Sequence, residues 1–192
     1  MKIPRSNKRG ISTVLTTLII VVASVVLGTA VTLFGTSLFQ SGSLQSAISV
    51  TNQHLWYDQS STNSVGGFVV RNTGDKILAV DSITIRGASV PFSSWYYNNT
   101  QAAMTSIGEL GRNTTTLTTG CTCLDKDNNG SADTKVTVAT GPVTLQTGET
   151  AMIYYVVPVG KLTASDTGAS ASVSVFAGSA GSVTTVTVAQ VA

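Results

Sequence analysis

Charge is scarce in this chain. Only 10% of its 192 residues are Asp, Glu, Lys or Arg, too few for a surface that grips nucleic acid by its phosphates. Histidine occurs once, at His54, and cysteine twice, at Cys121 and Cys123. A cysteine-histidine zinc site takes about four such ligands, so these side chains cannot complete one. No cysteine nucleophile or acidic residue neighbours His54 in sequence, and no Gly-x-Ser-x-Gly elbow, phosphate loop or dinucleotide fingerprint occurs. The chain is therefore expected not to be an enzyme, with His54 a structural residue. Long apolar runs are also scarce: there is one, at the start, so at most one helical membrane crossing is expected.

That one run carries most of the information. Lys2, Arg5, Lys8 and Arg9 precede Gly10, and Ile11 to Phe39 then contains no charge. As a helix at ~1.5 Å per residue the run spans ~43 Å, more than the ~30 Å hydrocarbon core of a bilayer. Basic flanks stay on the cytoplasmic side, so the bulk of the chain is expected outside. The first ten residues hold four of the eleven basic residues and none of the nine acidic ones, leaving the remainder at a net −2. This weakly acidic remainder again argues against nucleic acid as a partner.

Lys8-Arg9-Gly10 followed by Ile11-Ser12-Thr13-Val14-Leu15 resembles the class III signal sequence of archaeal type IV pilins and archaellins. The run to Gln40 and the strand-and-turn Phe68-Val69-Val70-Arg71-Asn72-Thr73-Gly74 are also similar to such pilins, so the resemblance covers roughly the first half of the chain. It implies cleavage between Gly10 and Ile11 by a prepilin peptidase. The apolar helix would be retained, first in the membrane and then in a filament core, with assembly by an ATPase and platform. Bacterial type IV pilins carry a glutamate at mature position five, where this chain has Leu15, which points to the archaeal branch. Two other readings of the same segment are an uncleaved membrane anchor and a secretory signal cut after Gly28-Thr29-Ala30.

Small and hydroxyl residues interrupt the apolar run, and Ser24, Gly28 and Thr32 recur four apart on one face, a spacing that suits close helix packing. Ile19 to Val26 is apolar nearly all round, as in a helix buried on every side in lipid or among other helices. Ser41-Gly42-Ser43 is expected to fray the helix. Beyond it, alternation in Ile83-Thr84-Ile85, Val136-Thr137-Val138, Val173-Ser174-Val175 and Val183 to Val188 predicts strands. Further strands are expected at 47–50, 67–72, 143–145 and 151–157. The fold class is thus α+β: a basic leader (1–10), a long N-terminal hydrophobic helix (11–47), and an antiparallel β-sandwich head, immunoglobulin-like, over 48–192. The stretch 93–120 shows no strand pattern and is expected to be an exposed insertion.

Asp125-Lys126-Asp127-Asn128-Asn129-Gly130-Ser131-Ala132-Asp133 has the spacing of the front of a calcium loop. Asp125, Asp127, Asn129 and Asp133 would offer side-chain oxygens, Ser131 a carbonyl, and Gly130 the turn. Val136 stands where an EF-hand glutamate would be, and the same residues equally suit a surface turn that needs no Ca²⁺. Cys121 and Cys123 can form a local bridge, a bridge between subunits, or remain thiols. Asn98, Asn113 and Asn129 head N-glycosylation triplets, the last in competition with a metal. Trp56-Tyr57 and Trp95-Tyr96-Tyr97 are expected as core or subunit contacts.

Together these features predict a structural subunit of an extracellular filament. It would assemble into a helical homopolymer through its N-terminal helix and serve surface adhesion. An archaellin of a swimming filament and a membrane-anchored binding domain are the other readings.

Overall fold

The computed structural model describes residues 8–43, 45–59, 64–100, 104, 107–112 and 117–191. The chain divides into two compact units, Met1–Leu44 and Gln45–Ala192. The first contains helix α1 (Lys8–Ser43). It runs through Ser41 and Gly42, where fraying was expected, because extending a formed helix across one glycine costs only about 1 kcal/mol. Its Ser12–Leu38 segment has a mean hydropathy of 2.5 and is long and apolar enough to cross a membrane; none of it is buried within the chain. Exposed Val14, Leu18, Ile19, Val22, Val25 and Val26 leave no polar stripe for water.

The second unit carries β1 (Ile48–Asp58), β2 (Ser64–Asn72), β3 (Leu78–Ile85), β4 (Ala88–Ser89), β5 (Trp95–Asn98), β6 (Thr122–Leu124), β7 (Thr134–Lys135), β8 (Thr137–Val138), β9 (Val143–Leu145), β10 (Thr150–Val156), β11 (Ser170–Ala177) and β12 (Ala180–Val191). Ten of these form one curled sheet in the order β4-β3-β11-β12-β1-β2-β10-β5-β8, with β9 also on β3; β6 and β7 make a separate ribbon. All pairings are antiparallel except that of β1 with β12, which runs parallel from Leu55 opposite Val188 to Asp58 opposite Val191. The concave side encloses the main core, with Leu55, Phe68, Val70, Ile83, Ile85, Trp95, Ile153, Tyr155, Val173 and Val175. Burying each such aliphatic side chain contributes about 1.5–3 kcal/mol.

Two expectations need correction. The stretch 93–120 is neither free of strand nor simply exposed: β5 lies in it, paired with β10 and β8, and Leu110 and Leu117 are buried. They belong to a second core on the opposite face of β1, β2 and β10, shared by Trp56, Val65, Val69, Met152, Tyr154, Cys123, Leu124 and Val136. The first strand is also longer than 47–50. It passes an irregularity between Thr51 and His54, where Asn52 takes a positive φ of 50°, and continues to Asp58. Such a bulge re-aims the strand without ending it. The Asn52 side chain is held there by donating to the Gly108 carbonyl at 2.6 Å.

Trp56, Tyr57 and Trp95 are core residues. Trp95 donates its indole N–H to the Val90 carbonyl at 3.1 Å and meets Phe92 edge-on. Trp56 stacks on Tyr154, ring centres 5.8 Å apart. Gly67, on the strand between them, makes this stack feasible, because a Cβ there would stand 3.1 Å from the Tyr154 ring and 3.3 Å from that of Trp56.

Candidate functional site

Two regions hold the residues singled out by sequence: α1, and the loops that cover the second core. In α1, Gly10 and Ile11 lie in the first turn, directly after Lys8 and Arg9. The hydroxyls of Thr16, Thr17, Ser24, Thr29, Thr32, Thr36 and Ser37 donate to carbonyls three or four residues earlier in the same helix. These hydroxyls therefore need no water, which lets the helix lie in lipid or against other helices. Along the Ser24, Gly28, Thr32 line, a Cβ placed on Gly28 would meet no atom of this chain within 4 Å.

The loop that begins at Asp125 is closed by its own peptide groups. Asp125 is 1% exposed. Its Oδ1 accepts the backbone N–H of Asp127 at 3.3 Å and of Asn129 at 3.2 Å, and its Oδ2 accepts that of Gly130 at 2.9 Å. Asn129 accepts from the Ser131 amide at 2.8 Å. Asp133 turns away to Lys126, 3.0 Å from its ammonium, and accepts the Thr134 hydroxyl at 2.8 Å. Partial burial pushes the Asp133 carboxyl up, but its bonds to Thr134 and Lys126 outweigh this and leave it below the ordinary value. The Asp125 carboxylate thus accepts three amides of its own loop, while Asp133 pairs with Lys126. Among the described residues no three His, Cys, Asp or Glu side chains gather as a metal site. Replacing Asp125 with alanine strands three amides. It is expected to cost about 2–3 kcal/mol by urea unfolding and to open the loop to proteolysis.

A disulfide joins Cys121 and Cys123, whose Cα atoms are 5.3 Å apart, at the start of the β6–β7 ribbon. Cys123 is buried in the second core. Of the glycosylation candidates, Asn98 ends β5; its amide donates to the Lys135 carbonyl at 2.7 Å and its oxygen accepts both the N–H and hydroxyl of Thr100. Asn129 is exposed on the loop, and Asn113 lies outside the described residues.

His54 leaves the bulge of β1 stacked on Trp56, ring centres 5.3 Å apart, with Glu109 3.9 Å from its Nε2. Burial lowers its pKa from 6.5, and the Glu109 charge only partly opposes this. A lowered value means the unfolded chain takes up the proton first. His54 thus favours the fold above its unfolded pKa, and that contribution fades as pH falls through the folded value. Protonating the stacked ring is expected to change Trp56 fluorescence with a midpoint below 6.5; the transition should vanish in His54→Gln. Tyr154 completes the stack and donates to the Gly111 carbonyl at 2.7 Å. Burial, together with the Asp125 and Asp133 charges, holds its phenol far above the usual range, so it stays a donor.

Sequence reasoning missed the ion pair of Asp58 and Arg112, 3.0 Å apart and 1% and 3% exposed. The only signal for it was a charged residue directly after Leu55-Trp56-Tyr57. Compared with known proteins, the chain matches no protein-family model and no curated protein.

Proposed function

We propose that this chain is a pilin, the structural subunit of an archaeal type IV pilus-like filament used for surface adhesion. The single observation that carries the reading is α1. A helix of this length, with no part of its Ser12–Leu38 segment buried by its own chain, follows directly on the basic residues Lys8 and Arg9 and on Gly10. Such an apolar surface requires lipid or other helices around it. After cleavage between Gly10 and Ile11, helices leaving the membrane would bury one another. Repeated heterologous contacts that do not close would extend this into a fibre.

The head would face water. Its first strand runs parallel to its last and the sheet curls around its main core, which supports an immunoglobulin-like sandwich as its finer description. Partners on this reading are other copies of the chain, a prepilin peptidase and an assembly ATPase with its platform, with the membrane holding the precursor.

The test is the mass and N-terminal sequence of protein sheared from intact cells. A start at Ile11 in material that sediments as fibres is the expected result, and excess mass would report glycans on Asn98, Asn113 or Asn129. Retention of Met1 to Gly10 in the membrane fraction would overturn it in favour of an anchored head. A start at Val31 would mean ordinary secretion.

A further inference from the structure

The β6–β7 ribbon, which lends Cys123 and Leu124 to the second core, departs from regular pairing at one place. Thr122 lies opposite Lys135 and Leu124 opposite Thr134, so two steps along β6 match one step along β7, and Cys123 is the extra residue of a bulge. Side chains of a regular strand alternate between its faces. Here Cys123, Leu124 and Asp125 are buried in succession, which the bulge permits.

The disulfide sits on that bulge. Two residues apart along a regular strand, Cα atoms stand about 6.4–6.8 Å from one another. Those of Cys121 and Cys123 are 5.3 Å apart, well inside the range a disulfide accepts. The contraction that brings the two sulfurs together is the one the bulge makes. Closing so short a loop constrains the unfolded chain little, so the bridge acts on the folded ribbon. Its reach extends further, since the next residues are tied down in turn: the Leu124 carbonyl accepts the Asp133 N–H at 3.0 Å, and Asp125 holds the amides of Asp127, Asn129 and Gly130.

We propose that the Cys121–Cys123 bridge is a redox-sensitive clasp on the cover of the second core. Oxidised, it holds the bulge and keeps Leu124 and Asp125 inward. Reduced, it lets β6 extend, and a pairing shift of one residue turns each following side chain to the opposite face, which draws Asp125 away from its amides. The chemistry is exchange with an external dithiol. One thiolate of the dithiol attacks the sulfur of Cys121, the more exposed of the pair. The bond between the two cysteine sulfurs breaks, and the Cys123 sulfur leaves with the electron pair and takes up a proton. The second sulfur of the dithiol then displaces Cys121, which is released as a thiol. Two electrons and two protons have passed to the protein, and the dithiol has become a disulfide.

The test uses the full chain in detergent, with dithiothreitol as the dithiol and no denaturant. Thiols are counted by alkylation and mass, the chain having only these two cysteines. Hydrogen exchange is followed over 117–136, with β11 and β12 as an internal reference. Reduction is expected to free both thiols and to speed exchange of the 120–136 amides about tenfold or more. Exchange in β11 and β12 should not change, and tryptophan emission should shift to the red as Trp56 is uncovered. Removing dithiothreitol and adding oxidised glutathione should restore slow exchange. Cys121→Ala with Cys123→Ala should exchange fast with or without dithiothreitol. A bridge that dithiothreitol opens only after the chain is unfolded in urea would overturn the proposal. So would two free thiols with exchange unchanged, or exchange that rises equally in β11 and β12, which would make the bridge a support of the whole head. None of these readouts involves fibres, so either result leaves the pilin reading to the sheared-fibre test.

Discussion

Replacing Asp58 with alanine is expected to destabilise the head by about 3–5 kcal/mol, a large part of the ~5–15 kcal/mol that holds a domain together. The carboxylate and the Arg112 guanidinium lie 3.0 Å apart with almost no exposure, and Arg112 Nε and Nη1 are buried without a hydrogen-bond partner among the described residues. Removing the carboxylate leaves a cation in an apolar layer with nothing to offset its lost hydration. Urea unfolding followed by tryptophan fluorescence should show a midpoint lower by about 1.5–2.5 M if the unfolding slope is near 2 kcal/mol per M. Replacing both residues at once, Asp58→Leu with Arg112→Met, should recover most of the loss, because two matched apolar side chains have no charge to desolvate. A single-variant loss under about 1 kcal/mol would mean that water reaches the pair.

The same pair explains why part of the head was hidden from sequence reasoning. Alternation works for β11, whose Ala171, Val173 and Val175 are buried while Ser170, Ser172 and Phe176 are exposed. It fails for β1, where Leu55, Trp56, Tyr57 and Asp58 are all buried, and for β2, buried at every position except Arg71. These strands are covered on both faces, by the main core and by residues of 107–112 and 117–136, and two-sided burial erases a period of two. The covering segments contribute scattered apolar residues, among them Ile107, Leu110, Leu117, Cys123, Leu124 and Val136, in a Thr, Asn and Gly background. Nothing local in that background says what they cover.

The Asp125 loop was legible as a loop, and its sequence left two chemistries open. A cation and a set of inward-pointing amides both call for oxygen side chains at alternate positions, so Asp125, Asp127 and Asn129 read alike in either case. Its long-range partners were not legible at all: Gly111 donates to the Asp125 carbonyl at 2.9 Å, and Tyr154 caps the same region. The helix, by contrast, was readable to within about four residues at its ends, expected over 11–47 and found over Lys8–Ser43, since its charge-free apolar run is written in consecutive positions.

Replacing Gly28 with leucine separates a filament subunit from a plain anchor. Leucine raises both the hydropathy and the helix propensity of α1, the latter by about 1 kcal/mol over glycine, so membrane insertion should be at least as good as before. A Cβ at that position stands in open space, so the helix should fold unchanged. Only a neighbour that approaches the Ser24, Gly28, Thr32 face feels the added bulk, because small residues are what let two helix backbones come close. Loss of even ~1.4 kcal/mol at each subunit contact weakens that contact tenfold, and the penalty recurs along a fibre. Sheared fibres are expected to disappear while the protein accumulates in the membrane fraction. Val22→Lys should lose both, since a lysine near the middle of the span costs about 3 kcal/mol to insert. If fibres form normally with leucine at position 28, this face is not the packing face. If there are no fibres to lose, the anchored reading takes its place.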